Sequence, residues 1–261
     1  RDVKHPGDST AAPPGGDGVE RYSPRFVLAA ILIAVTAAGA MVLFLEVQRL
    51  GEALLWPDSF PVPLFPLVLS TAGGLLVGLC LHVFGDHVLL LQQSIVEFQK
   101  TGRFEPRHLP AGLLAIYLSL IFGASLGPEV AAIDMGGSMG TLAGDRLRSR
   151  VRTLSIAGIA GALAGFAIYL QITKTAGRDL YPLPPLGEFF PLYLVYAAIL
   201  GLAGAAAGAL FIGAFRLFHR LMTPLAGQHL IRGLAGGVGL GIAGMVFPLV
   251  LFSGQNEFKT V

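Results

Sequence analysis

Residues 123–130 read GASLGPEV. Gly123-Ala124-Ser125-Leu126-Gly127 has the spacing G-x-S-x-G, and Pro128 and Glu129 follow directly. Three chemistries suit these residue types. Ser125 is a nucleophile if it sits on a strand-to-helix turn with a base in hydrogen-bond reach. Pro128 at a first helical position, with Gly127 or Ser125 as cap and Glu129 in the first turn, makes a helix start. A helix start inside an apolar medium is also an anion site. Its first N–H groups have no partner within the helix and carry partial positive charge. The surrounding elements decide between the three.

Composition sets the medium. Of 261 residues, 54% are hydrophobic and 13% charged, and the mean hydropathy is +0.70. Soluble chains carry roughly 25% charged residues, so the class is a membrane protein, with the lipid bilayer as its partner. The net charge of +2 gives no nucleic-acid signal. A single cysteine, Cys80, gives neither a disulfide framework nor a thiolate metal cluster. No metal or cofactor is expected. The histidines are His5, His82, His87, His108, His219 and His229, and none lies mid-way along an apolar run. His82 is nearest, at the end of a run, where it snorkels. Ser125 therefore lacks a membrane-embedded base. An intramembrane serine protease stays only as a minor alternative, and the chain is expected not to be an enzyme.

Seven segments follow a Pro-, Gly- and charge-rich tail over 1–24 that is expected to be disordered. They are 26–45, 62–84, 109–126, 128–144, 153–172, 189–215 and 233–252, within a membrane domain over 25–252. Residues 253–261 open a further loop. The chain is expected to be a fragment, or a long protein trimmed at both ends. A run of 20 uncharged residues at 26–45 is enough to cross a hydrocarbon core of about 30 Å. The segment 128–144 is shorter and holds Glu129 and Asp134, which suits a broken or re-entrant helix. Charge supports the count. With the N-terminus cytoplasmic and all seven segments crossing or returning, every Lys and Arg except Arg49, Lys174, Arg178 and Lys259 lies inside. Removing the fourth segment would put the DRLRSRVR cluster outside. The pairs Gly161/Gly165 and Gly204/Gly208, and the stripe Gly233/Gly237/Gly241, have the spacing of close helix contacts.

A buried helix start needs its donors satisfied, and an anion in a protein-lined cavity does this without a cationic side chain. No Lys or Arg occurs between Arg107 and Arg146. A path of this kind uses dipoles and releases its ion readily.

The stretch GASLGPEVAAIDMGGSMG (123–140) resembles the CLC chloride channel and transporter family, where G-R-E-G-P precedes a Gly-rich helix. GASLGPE is most similar to a divergent bacterial branch described as ion-channel or ion-transport proteins. Gly85-Asp86-His87 stands where the family places the anion loop G-S-G-I-P. SIAGIAGALAG (155–165), the segment 194–222 and LFSGQNEF (251–258) fall in family order. The resemblance covers roughly 26–258 and implies an all-α polytopic membrane protein of two inverted repeats with broken helices. This chain would supply the first repeat and the start of the second, in a homodimer with one pore per subunit. The family's G-x-F-x-P loop and pore Tyr are not among these residues.

The resemblance implies an inorganic anion path, with chloride the expected ion, lined by Ser125, Leu126, Gly127, Pro128, Glu129 and Val130, with Gly85 and Asp86. Leu126 stands where the family has its gating Glu, and Ser125 where it has Arg. Coupling by the usual gating carboxylate is therefore not expected, and a leak or uncoupled channel is. Glu129 is either a first-turn partner of the dipole or a displaced gate. Asp134, five residues on, is expected to bond a neighbouring helix or face the cytoplasmic mouth. Asp86, if ionised, repels an anion and leaves room for another ion. A secondary transporter on a similar broken-helix scaffold is the second alternative. A multi-pass protein of the cell membrane is expected.

Overall fold

The computed structural model describes residues 23–57, 63–85, 91–148, 150–173, 192–225 and 227–252. Among them every regular element is helical. The helices are α1 (Pro24–Leu55), α2 (Phe65–Phe84), α3 (Leu91–Thr101), α4 (Leu109–Ile121), α5 (Glu129–Leu147), α6 (Val151–Ile172), α7 (Leu192–Met222) and α8 (His229–Val246). Five of them, α1, α2, α6, α7 with its 3-10 extension, and α8, are long and apolar enough to cross a membrane. The protein is an all-α polytopic membrane protein.

Each expected segment holds one helix, with shifted bounds. The tail 1–24 loses its last residue, Pro24, to α1. Ser23 caps that helix, its hydroxyl accepting the Phe26 N–H at 3.3 Å, and Pro24 needs no donor at the first position. Residues 1–22 and 253–261 lie outside the described residues, and so does Asp86. The run 109–126 is helical only to Ile121. Gly123 takes φ +93°, a backbone that side-chain-bearing residues rarely adopt, and the chain leaves the helix there. Pro128 sits at the N-cap of α5 instead of the first helical position, and no side chain caps that helix. The amphipathic α3 has no counterpart among the seven apolar segments. It lies in the stretch between the second and third, with Phe98 against Phe104 at 4.9 Å.

Small residues set the helix pairs. A Cβ on Gly136 would land on the Gly158 carbonyl, and one on Gly158 would land on Gly136. The α5 and α6 backbones therefore touch, running antiparallel. Gly161 meets Ala34 and Gly165 meets Ala38, so α1 runs parallel to α6. Ala37, Met41 and Leu45 of α1, Ala132 of α5, and Ala162 and Tyr169 of α6 form the core of this trio. In a second pair, Gly74 meets Gly233 and Gly241 meets Leu67, so α2 and α8 are antiparallel. Between the two groups lies α4, where a Cβ on Gly51 of α1 would meet the Tyr117 hydroxyl at 2.7 Å.

The stripe in α7 behaves differently. Gly204 and Gly208 have nothing within 4 Å of an added Cβ, and α7 has no buried residue. The expected close contacts hold for Gly161 and Gly165 but are not made at Gly204 and Gly208 among the described residues. Spacing prepares a face; it does not supply the partner.

Thr141 and Ser155, which the α5–α6 pair buries, find partners. The Thr141 hydroxyl accepts from the Phe104 N–H at 3.1 Å, and lies 3.0 Å from both the Gly137 carbonyl and the Ser155 hydroxyl. At the end of the pair, Arg103 donates to both carboxylate oxygens of Asp145 at 2.7 and 2.6 Å.

Gly136→Val is expected to destabilise by about 1–3 kcal/mol, as overpacking does, and Gly204→Val to change little. Melting in detergent checks this. Equal losses at both positions would contradict the packing described.

Candidate ion site

Helix α4 has 13 residues, about 20 Å, which is too short for a hydrocarbon core of about 30 Å. It stops inside the bundle. Phe122 packs on Gly73, eight residues into α2, and Ala132 packs beside Ala162, ten residues before the end of α6. The break between α4 and α5 thus lies roughly 10 Å short of the nearby ends of α2 and α6.

Ending a helix there frees its last carbonyls, and each free carbonyl finds a donor. Trp56, just past α1, donates its indole N–H to the Ile121 carbonyl at 2.8 Å. The Ser70 hydroxyl of α2 donates to the Phe122 carbonyl at 3.3 Å. The Phe252 N–H, beyond α8, donates to the Gly123 carbonyl at 3.0 Å. Trp56 also stacks edge-on against Phe65 and Phe252, at 5.9 and 5.0 Å. Three separate parts of the chain converge on one helix end.

The other side of the break is the reverse. The Gly127, Glu129, Val130 and Ala131 N–H groups have no acceptor among the described residues. They stand at the positive end of α5. The Leu126 N–H, by contrast, bonds the Ala124 carbonyl at 2.8 Å. A cavity of about 260 Å³ lies against this end. Leu126, Gly127, Pro128 and Glu129 line it, with Gln48, Arg49 and Glu52 of α1 and Tyr169 of α6. A second cavity of about 220 Å³, between α2, α4 and α8, shares Ala124 with the first.

The expected site residues divide. Leu126, half exposed, and Gly127, Pro128 and Glu129 line the cavity. Val130 follows them on α5 and does not line it, and Ser125 is exposed beside it. The Glu129 carboxylate folds back over Gly127, where a Cβ would collide with it. It lies in front of the helix start instead of away from it. Gly85 is not brought here. It ends α2 with φ +83°, about 22 Å along that helix from Ser70. Asp134 is half-buried on α5, with no hydrogen-bonding partner among the described residues. No histidine reaches Ser125 among the described residues: His82 lies about 18 Å along α2 from Ser70 and pairs with His229 at 6.4 Å. Among the described residues the protease chemistry therefore has no base in place.

Several residues of the site are missed from sequence. Gln48, Arg49 and Glu52 follow the apolar run of α1 in a helix that continues nearly three turns past it. Their signal is the i, i+3 and i, i+4 spacing of Glu46/Arg49 and Gln48/Glu52, which the structure turns into contacts of 2.9 Å each. The Trp56, Ser70 and Phe252 donors carry no local signal, because their acceptors are 65, 52 and 129 residues away.

Comparison with known proteins bears out the resemblance drawn from 123–140. Residues 73–169 match the family described as "Voltage gated chloride channel". That stretch runs from Gly73 in α2 to Tyr169 in α6 and contains the whole break. The chain is 26% identical to the "Putative ion-transport protein YfeO" of Salmonella newport (strain SL254), over 89% of this chain and 67% of that protein. The proteins of that name from Salmonella agona (strain SL483) and Salmonella typhimurium (strain LT2) match to the same extent.

Trp56→Phe keeps an aromatic ring and removes the donor to the Ile121 carbonyl. Leaving that carbonyl unpaired is expected to cost about 1–3 kcal/mol, read as a lower melting temperature in detergent. An unchanged melting temperature would mean that this bond does not hold the break.

Proposed function

We propose that this protein passes an inorganic anion, chloride, across the cell membrane, holding it on backbone amides at the start of α5. One observation carries this reading: the carbonyls at the break are capped by protein donors, and the amides facing them are left open beside a cavity. A membrane interior tolerates such donors only where something satisfies them. An anion does so, and the helix dipole adds to its attraction. No Lys or Arg from 108–145 adds to that hold. The relatives' printed name, an ion-transport protein, and the matched family support the same reading.

The protein acts as a homodimer in this proposal, with its N-terminus cytoplasmic, as the loop charges favour. Leu126 holds the gate position without a proton to exchange. The Glu129 carboxylate, folded over Gly127, competes with the anion for the open amides, so it is the gate, displaced by three residues. A second reading, a transporter for a cation, has one observation in its favour. The Gln48 side-chain oxygen is buried without a partner, and Glu52 and Glu129 line the same cavity.

Flux from liposomes containing the full-length protein separates these readings, comparing chloride, fluoride, nitrate and potassium. Chloride movement without potassium is expected, and potassium flux without anion flux would overturn the anion path. Glu129→Gln is expected to raise chloride flux at neutral pH and to remove its pH dependence. Leu126→Glu is expected to block as pH rises through the ordinary glutamate range, about 4.3, with relief below it. The carboxylate repels the anion only when ionised. A pH dependence untouched by Glu129→Gln would place the gate elsewhere.

A further inference from the structure

The cavity at the start of α5 holds one cationic side chain among the described residues, and it comes from far away in sequence. Arg49 lies two turns before the end of α1 and lines the cavity beside Leu126, Gly127 and Glu129. Its guanidinium Nη2 meets the Glu46 carboxylate at 2.9 Å, and its Nε meets the same oxygen at 3.1 Å. Tyr169 of α6 lines the same cavity. The remaining charged groups on the cavity wall are the Glu52 and Glu129 carboxylates. Glu52 is engaged by the Gln48 amide at 2.9 Å.

We infer that Arg49 sets the affinity of the path for anions, at a level tuned by Glu46. This rests on the anion path proposed above and adds to it a residue outside the 123–130 stretch. The physical case has three parts. First, the start of α5 attracts an anion through dipoles only and adds the opposing Glu129 carboxylate, so a full positive charge on the same cavity wall weighs heavily in the field that an entering anion meets. Second, Arg49 is well exposed, with 64% of its side-chain surface accessible, so it stays hydrated and attracts without trapping. Third, Glu46 holds the guanidinium by two contacts to one oxygen and partly cancels its charge. The chain thus supplies a damped positive charge at the cavity where 125–130 supplies none. The opposing carboxylates of Glu52 and Glu129 make the balance sensitive to a single charge.

The test is chloride flux from liposomes with the full-length protein, measured against chloride concentration. Arg49→Gln is expected to raise the half-saturating chloride concentration about three- to tenfold, and Arg49→Lys to leave it near wild type. Glu46→Gln is expected to lower it by a similar factor. The double variant should return close to wild type, because removing both charges restores the net charge of the pair. Raising ionic strength with an impermeant salt should shrink the shifts of both single variants. Half-saturation within twofold of wild type for both Arg49→Gln and Glu46→Gln would overturn the inference. A double variant that stays at the Arg49→Gln value would overturn it as well. A wild-type protein that moves no anion would instead remove the function on which it rests. Arg49 and Glu46 are exposed and half-exposed on the helix, so detergent melting of each variant should equal wild type.

Discussion

Breaking a helix inside an apolar bundle leaves carbonyls on one side and amides on the other, with no bulk water to take either. The architecture around residues 121–131 answers this constraint. It answers it asymmetrically. Trp56, Ser70 and Phe252 bring donors to three successive carbonyls, and these donors come from the end of α1, the first half of α2 and the segment past α8. The helix pairs must therefore hold their positions to within a hydrogen-bond length for the break to exist. Close packing through Gly136, Gly158, Gly74 and Gly233 supplies that rigidity, since backbones in contact cannot slide without collision. The open amides of α5 are the complement of this arrangement, and the function proposed for the protein depends on them.

Electrostatics at the cavity follow from the same division of labour. The 123–130 turn contributes backbone dipoles and one carboxylate, Glu129. The polar turns of α1 contribute Gln48, Arg49 and Glu52, because α1 is about 48 Å long and outruns its own apolar run. Helix length alone thus carries side chains of α1 to the level of the break. Tyr169 arrives from the parallel helix α6. Both are consequences of how α1 and α6 lie side by side through Ala34, Ala38, Gly161 and Gly165.

What was legible in the sequence follows the range of each interaction. Apolar runs report burial in lipid residue by residue, so all seven segments contain helices. The break was legible too, because Gly127 and Pro128 act on the local backbone. Helix limits were less so: the apolar run continues to Leu126, but the left-handed Gly123 ends α4 first. Small-residue spacing located real contacts at Gly161 and Gly165 and none at Gly204 and Gly208 among the described residues. A stripe states what a face can accept, not what meets it. The donors at the break and the role of α1 were not legible, because each joins residues more than 50 positions apart. The resemblance groups Gly85 with the turn, and the structure places it at the far end of α2.

The central claim is that the open amides at the start of α5 hold an anion. Bromide substitutes for chloride and scatters anomalously, so crystals of the full-length protein grown in bromide locate the ion directly. The account predicts an anomalous peak within hydrogen-bond distance of the Gly127, Glu129 or Val130 N–H groups, stronger in the Glu129→Gln protein. Bromide bound elsewhere in the membrane domain, with this position empty in both proteins at saturating bromide, would contradict it.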